Sequence, residues 1–478
     1  MEPKRAQRAL KFYNKVKSGC LTCNPPAPGS ALATSHSGLF NSTSERRSFF
    51  YFHSQACQPL GGYFNASFWG REVMQAAIHS PPVRHLVIAL GAAYESFEGG
   101  TPGQDTQFTL QHCNRAIRDL AVLSIKPSQH PSAEEVCRIL TASLLFIYIA
   151  SIRGQFQEAF QHVRSAAKIL QDFERCTQVQ DGTKASTYPV PIARLRSLIT
   201  SVYGQLRAMV NDSALDAGSH DLLVTEIKPA TIFTSLPDAH SYVEQLFHNT
   251  LAFLQRTGLD PPSTQEQLGA AVARHKELCH ALESSENALN VLEHGLAEGR
   301  GPAVHNGIVI LRIYHLLLGI RLRIDVLQPE NREASFDDLE AYLEEMLRHC
   351  ESLVQQEDQQ QKQPSCSSGL GYVMPLHMVA ARCRNPLLRR RAVNLLSTRP
   401  RREGLWDASL AARIVLQTIE MEEEASHLSR SEVEDSAGAG RVLEVKLELQ
   451  GDRTAALRFV TVEDWKQGRK GTQRLIEW

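Results

Sequence analysis

Residues 45–97 carry Glu45-Arg46-Arg47-Ser48-Phe49-Phe50-Tyr51-Phe52-His53, then Leu60-Gly61-Gly62-Tyr63-Phe64, Ser67-Phe68-Trp69, Pro81-Pro82 and Ala89-Leu90-Gly91-Ala92. Aromatic side chains crowd this window. Each ring buries a large apolar area, so the stretch predicts a packed nucleus. Trp69, Val73, Ala76 and Ala77 recur at helical spacing, as do Val83, Val87 and Leu90. The double proline stops the first run and opens the second. The stretch therefore predicts the first helical hairpin of an all-α domain.

The same period continues downstream. Residues 108–123 form an amphipathic pattern. Pro131-Ser132-Ala133-Glu134-Glu135 is a capped helix start with early acids, leading into a buried helix over 136–151. Gly154-Gln155-Phe156 then turns into a helix over 158–173 that carries Ala159, Ala166 and Ala167. A buried helix, a glycine turn and a small-residue helix make an αα-hairpin like one tetratricopeptide unit. His162 falls inside it and is expected to be a packed residue rather than a ligand. Further helical patterns cover 192–210, 240–256, 263–289, 307–327 and 336–356. In the fourth, Ile308, Ile310, Leu311, Tyr314, Leu317, Leu318 and Leu322 make the broad apolar face of a core helix. Glutamine-rich 355–363 and residues 364–371 read as a surface linker. Late in the chain, Leu443, Val445, Leu447 and Leu449 alternate with Glu444, Lys446 and Glu448, and 457–462 answers across Gly451-Asp452-Arg453-Thr454. That predicts a β-hairpin, which must pack on the helical body to be stable. The expected fold is all-α: stacked antiparallel helical hairpins, TPR-like in part, with a small C-terminal β-hairpin.

A second informative string is Cys383-Arg384-Asn385-Pro386, Arg389-Arg390-Arg391 and Pro400-Arg401-Arg402-Glu403-Gly404-Leu405-Trp406-Asp407. Asp407 is placed to cap a helix running to 424. The arginines form either a nucleic-acid patch or ion pairs with acids of neighbouring helices; the second reading is favoured. Trp69 and Trp406 are read as packing anchors without convergent polar groups, and Arg84 and His85 as structural.

Together these strings resemble the fungal-specific regulatory domain that follows the zinc cluster in fungal zinc-cluster transcription factors. The elements that carry the likeness lie in 45–52, 60–64, 68–69, 83–91 and 383–407, and it covers residues 45–425. The resemblance implies a transcriptional regulator located in the nucleus, of the type found beside secondary-metabolite gene clusters. It implies other transcription factors or co-regulators as partners, a homodimer as a further state, and zinc as the family's cofactor.

The N-terminal residues both extend and break that likeness. Lys4, Arg5, Arg8, Lys11, Lys15 and Lys17 make a basic arm, read as a solvated terminus or as a nuclear-import or phosphate-contacting segment. Cys20 and Cys23 follow as Cys-x-x-Cys: half a zinc site, a redox pair or coincidence. After a basic arm the pair looks like the start of the six-cysteine zinc cluster, in which a basic helix between the second and third cysteines enters the major groove. Here Asn24-Pro25-Pro26-Ala27-Pro28 stands where that helix belongs, and the next cysteine is Cys57. Proline forbids the helix, and tetrahedral zinc needs four donors per ion. The remnant fits a decayed cluster or a skipped exon. No stoichiometric zinc and no specific operator binding are expected of this chain alone.

Composition bounds the rest. The chain has 478 residues, 42% hydrophobic and 22% charged, with a formal net charge of −1. That balance offers no whole-molecule attraction to nucleic acid or membrane. The first seventeen residues lack an apolar signal region, and the apolar run 136–150 is too short to span a bilayer. Apart from Cys20 and Cys23, the ten cysteines are scattered and read as reduced, buried thiols. No nucleophile elbow, phosphate-binding loop or His-Glu-x-x-His occurs, so no enzyme and no chain-bound cofactor are expected. The expected layout is an arm with a partial zinc motif over 1–23, a linker over 24–44, the helical domain over 45–425, a linker over 426–440 and the hairpin over 441–478.

Overall fold

A computed structural model of the chain describes residues 39–100, 106–124, 131–179, 187–209, 222–259, 261–296, 301–324, 329–359, 365–369, 371–398, 401–429, 440–451 and 453–478. The chain divides into two units, Met1–Arg46 and Arg47–Trp478. The basic arm and Cys20 and Cys23 lie outside the described residues. In the first unit, residues 39–46 hold the opening of helix α1 (Thr43–Tyr51), where Ser42 Oγ accepts from the Glu45 amide at 3.1 Å.

The second unit is built from helices. α1 passes through a π-helical segment, Phe52–Ala56, into α2 (Cys57–Gly61). A second π segment, Phe68–Glu72, leads into α3 (Val73–His79), and α4 (Pro81–Glu98) starts at the double proline as the sequence predicts. α5 (Thr106–Ser124), α6 (Ala133–Arg153), α7 (Phe156–Val179), α8 (Ile192–Met209), α9 (Leu236–Leu259), α10 (Gln265–Gly295) and α11 (Pro302–Arg323) follow. Consecutive helices pack on one another, α4 with α5, α6 with α7, α8 with α9 and α9 with α10, which gives the expected antiparallel hairpins. The α6 start is a capping box: the Ser132 side chain accepts from the Glu135 amide, and the Glu135 carboxylate accepts from the Ser132 amide. His162 stacks on Phe146 with ring centres 5.0 Å apart, a packed residue as expected.

Gly91 explains how α1 reaches α4. A Cβ there would run into the Ser48 carbonyl oxygen, so only glycine lets the two backbones approach so closely. The run over 136–150 extends at both ends into the 21-residue α6, so, against the expectation from its length, α6 and also α11 are long and apolar enough to cross a membrane, yet 72% of each apolar window is buried inside the body. That burial marks them as core helices.

The second half continues with short α12 (Pro329–Arg332), a 3₁₀ segment, Ala334–Leu339, and α13 (Glu340–Gln359). After the three-residue strand β1 (Ser365–Ser367) come α14 (Val373–Arg382), α15 (Pro386–Ser397), β2 (Arg401–Glu403), β3 (Trp406–Asp407) and α16 (Ala408–Ser429). The main core joins α9, α10, α11, α13, α14 and α16 through residues such as Leu246, Leu278, Leu318, Leu343, Leu376 and Val415.

Two expectations need correction. Within the expected surface linker over 355–371, residues 355–359 and 365–367 belong to regular elements, and 360–364 and 370 lie outside the described residues. α13 runs through Gln359, and β1 is buried at Cys366, pairing in parallel with β2, which pairs in turn with β3. The C-terminal element is not a hairpin alone. β4 (Val442–Gly451) and β5 (Thr454–Thr461) pair as predicted, and after α17 (Val462–Lys466) the strand β6 (Thr472–Glu477) adds to β5. Leu457, Phe459 and Ile476 of this sheet pack against Leu410 of α16, so it rests on the helical body. The molecule remains all-α in class, since both sheets are small.

Candidate functional site

The two informative strings meet in one buried polar knot, and β1 ties it. The Ser368 amide and hydroxyl both donate to the Leu60 carbonyl, at 2.9 and 2.7 Å. The Trp69 indole N–H donates to Ser368 Oγ at 2.9 Å, and the Tyr148 hydroxyl donates to the Ser368 carbonyl at 3.1 Å. Trp69 is fully buried and lies edge-on to Phe52, Phe68 and Tyr148. It is an anchor, but not one without polar partners: its N–H is satisfied, as a buried indole normally is.

Beyond Ser368 the network runs through β2. The Gly404 amide donates to the Ser367 carbonyl at 2.7 Å, and Ser151 Oγ donates to the Gly404 carbonyl. Gly404 has φ of 58°, and any Cβ there would collide with the Gln205 side chain, whose oxygen accepts from the Leu405 amide at 3.0 Å. Arg402 donates to Asp407 at 3.0 Å and to the carbonyls of Ser151 and Ile152, while its guanidinium lies over the Phe97 ring. It thereby closes the last turn of α6. Glu403 accepts from the Tyr372 and Val373 amides at 3.1 and 2.8 Å, which places a carboxylate at the α14 N-terminus. Arg401 pairs with Glu403 and Glu357 and lies over the Tyr372 ring. Asp407 accepts from the Ser409 and Leu410 amides, the predicted helix cap. Trp406 is nearly buried beside the His377 ring.

Arg384, Arg389 and Arg391 of the second string form ion pairs as well. Glu333, 1% exposed, receives Arg382 at 2.8 Å and Arg384 at 3.0 Å. Glu422 receives Arg384 and Arg389 at 3.1 and 2.8 Å and accepts from the Val442 amide at 3.0 Å. Burial pushes the Glu422 carboxyl up, but these two arginines outweigh it and hold the group below the usual carboxylate range. Arg391 pairs with Glu351 on the surface. The favoured reading of this string holds: its charges pin helices together.

Arg84 donates to the Ala77 and Ile78 carbonyls, both at 3.2 Å, and so caps the end of α3. His85 meets His112 nitrogen to nitrogen at 3.1 Å across the α4–α5 contact.

A second buried cluster, which the sequence reading did not single out, lies on α9. His240 Nε2 lies 3.2 Å from a Glu244 oxygen, Ser201 hydrogen-bonds the same carboxyl, and Phe64 stacks on the His240 ring at 3.9 Å. Burial pushes the Glu244 carboxyl up to about 8 and the His240 imidazole down to about 3. The pair is therefore held neutral near pH 7. The spacing of four along one helix was the available signal, but it is shared with many exposed pairs.

A pocket of about 240 Å³ is lined by His79, Ser80, Glu134, Arg138, Thr187, Tyr188 and Pro189. It is smaller than the roughly 300–1,000 Å³ of small-molecule sites, and Arg138 there is already paired with Glu134 at 2.8 Å. Among the described residues no group of three or more His, Cys, Asp or Glu is arranged to hold a metal ion.

No family model matches the chain, and no solved structure matches it. A curated protein, the aspercryptin biosynthesis cluster-specific transcription regulator atnN of Emericella nidulans, is 41% identical over 59 residues. That stretch is 12% of this chain and 10% of atnN, so the match spans only a small part of either protein. One segment of the chain is thus similar to part of a fungal cluster-specific transcription regulator.

Proposed function

We propose that the chain is a transcriptional regulator of the fungal type, serving a biosynthetic gene cluster and working in the nucleus through its helical body. The observation that carries this reading is the local identity to a cluster-specific regulator. The two family-like strings support it, because they form a single packed unit rather than separate chance matches. The regulatory step is an interaction between the helical body and other transcription factors or co-regulators. In this reading the step is regulatory, and the polar knot serves to hold helix ends and strand backbone in place. Specific DNA contact comes from a partner, because Pro25, Pro26 and Pro28 stand where the family's basic helix would lie. The basic arm supplies at most sequence-blind phosphate contacts, with affinity of roughly 10⁻⁴–10⁻⁶ M.

The test joins residues 39–478 to an unrelated DNA-binding domain and reads a reporter in a fungal host. A change in transcription that disappears when the knot is broken supports the reading; no change in either direction overturns it. Metal analysis and a gel shift on the unfused chain test the second half. Two zinc ions per chain, or nanomolar binding to one sequence over scrambled competitor, would overturn the assignment of DNA contact to a partner.

A further inference from the structure

The ion pairs that pin the second string carry more positive charge than negative. Glu333 holds Arg382 and Arg384, and its backbone carbonyl accepts from Arg441 at 3.1 Å. Asp337 pairs with Arg441 at 2.9 Å, and Arg384 Nε lies 3.7 Å from the same carboxylate. Arg384 and Arg389 converge on Glu422. Arg321, near the end of α11, stands in the same crowd. Burial, and after it Arg382 and Arg332, push its guanidinium down to about 10, with Glu333 opposing. Even before Arg332 is counted, Arg321, Arg382, Arg384, Arg389 and Arg441 are five cations. The carboxylates that pair with this group among the described residues are Glu333, Asp337 and Glu422, which leaves an excess of two positive charges. Hydrogen bonding is short on the same side. Arg321 Nε, Arg384 Nε and Arg389 Nη2 are buried and find no acceptor. Crowded like charges and orphaned N–H groups are both costly, and an added anion relieves both. The cluster is also open to solvent: Arg332 keeps 34% of its side chain exposed, Arg441 23%, and Arg382 and Arg384 20% each.

We propose that this arginine cluster binds the phosphate group of a small molecule, centred on Arg384 and Arg441 in the seam between the helical body and the start of β4. A phosphate monoester carries a charge of about −1.5 to −2 near pH 7, which matches the excess. Its oxygens accept from several guanidinium forks at once, a geometry that arginine suits better than lysine. A chloride ion brings half the charge and no such fork. A nucleic-acid strand brings one charge per phosphate with bulk on both sides, and does not enter a seam whose arginines are mostly buried. Asp337 is the resident competitor: it faces the same two arginines and is 43% exposed, so it can swing into water as the phosphate arrives. Binding at this seam does not depend on the regulatory reading.

The test titrates the full-length chain with inorganic phosphate and with pyrophosphate by calorimetry, at constant ionic strength set with sodium chloride. The basic arm is silenced by changing Lys4, Arg5, Arg8, Lys11, Lys15 and Lys17 to glutamine. One ion should bind per chain and raise the melting temperature, whereas chloride alone should not. Arg441→Gln, at the exposed rim, should still melt cooperatively and weaken binding roughly tenfold or more. Asp337→Asn breaks the pair with Arg441 and yet should tighten binding by roughly fivefold, because it removes the competing carboxylate. A cluster that serves only to pin helices gives no such gain. No binding of either ion up to about 10 mM would overturn the proposal. So would affinity that Arg441→Gln and Asp337→Asn leave unchanged, or binding seen only while the basic arm is intact.

Discussion

Glu244 and His240 occupy successive turns of α9 and have been pushed in opposite directions by the same burial. The Glu244 carboxyl binds its proton more tightly folded than unfolded, up to about 8 against an ordinary 4.5. Its contribution to stability is therefore full below pH 4.5 and is lost as pH rises from there through about 8. His240, pushed down to about 3 from 6.5, works the other way: stability is lost as pH falls from 6.5 toward 3. Replacing Glu244 with glutamine keeps the shape and removes the titration. In that variant the decline on the alkaline side should flatten, while the acid-side decline remains. Melting temperature measured across pH checks this, and an unchanged alkaline slope would show that Glu244 is not the group responsible. Trp69 offers a second test at this scale. Trp69→Phe keeps most of the ring contact and loses the N–H to Ser368, and should cost about 1–3 kcal/mol in denaturant unfolding. Trp69→Ala should cost about 3–5 kcal/mol, as should Trp406→Ala. Because Trp69 and Ser368 share one hydrogen bond, Trp69→Phe with Ser368→Ala should cost less than the sum of the two single changes.

Among elements, the long helices were legible because their apolar residues repeat at 3.6 and their ends carry local signals, such as Ser132 with Glu135 and Pro81 with Pro82. Asp407 and the ion-paired arginines were legible for the same reason: a cap or a charge needs a partner nearby. β1 was not legible. Its three residues, Ser365-Cys366-Ser367, have no apolar alternation, and its partner strand lies beyond α14 and α15. Small residues suit a strand packed tightly against other backbone, but in sequence they look like a linker. β6 was missed because Gly468 and Gly471 precede it and Leu475-Ile476 breaks the alternation. The polar knot shared this fate, since its members come from α2, α6, α8, β1 and β2 and converge only in space. The contact between α1 and α4 makes a further prediction. Gly91→Ala forces the two backbones apart and should cost about 1–3 kcal/mol, whereas helix propensity alone would favour alanine. A stabilised variant in thermal melting would show that the approach is less tight.

At the scale of the whole molecule, the hydrogen bond from Trp69 to Ser368 spans 299 residues of chain. Cutting the chain after residue 359 removes β1, β2 and the second string while leaving α1–α13. Such a fragment should bind a hydrophobic dye and melt without a cooperative transition, because Trp69, the Leu60 carbonyl and the end of α6 lose their partners together. A sharp melt near that of the full chain would overturn the view of the knot as the keystone of this body. The same long span sets an order of events on the ribosome. At roughly 5–20 residues per second, the tryptophan emerges about 15–60 s before the serine that completes its environment. For that interval the aromatic nucleus is a customer for holding chaperones. The yield of mature protein should therefore depend on how fast the codons between the two strings are translated and on whether a chaperone is at hand.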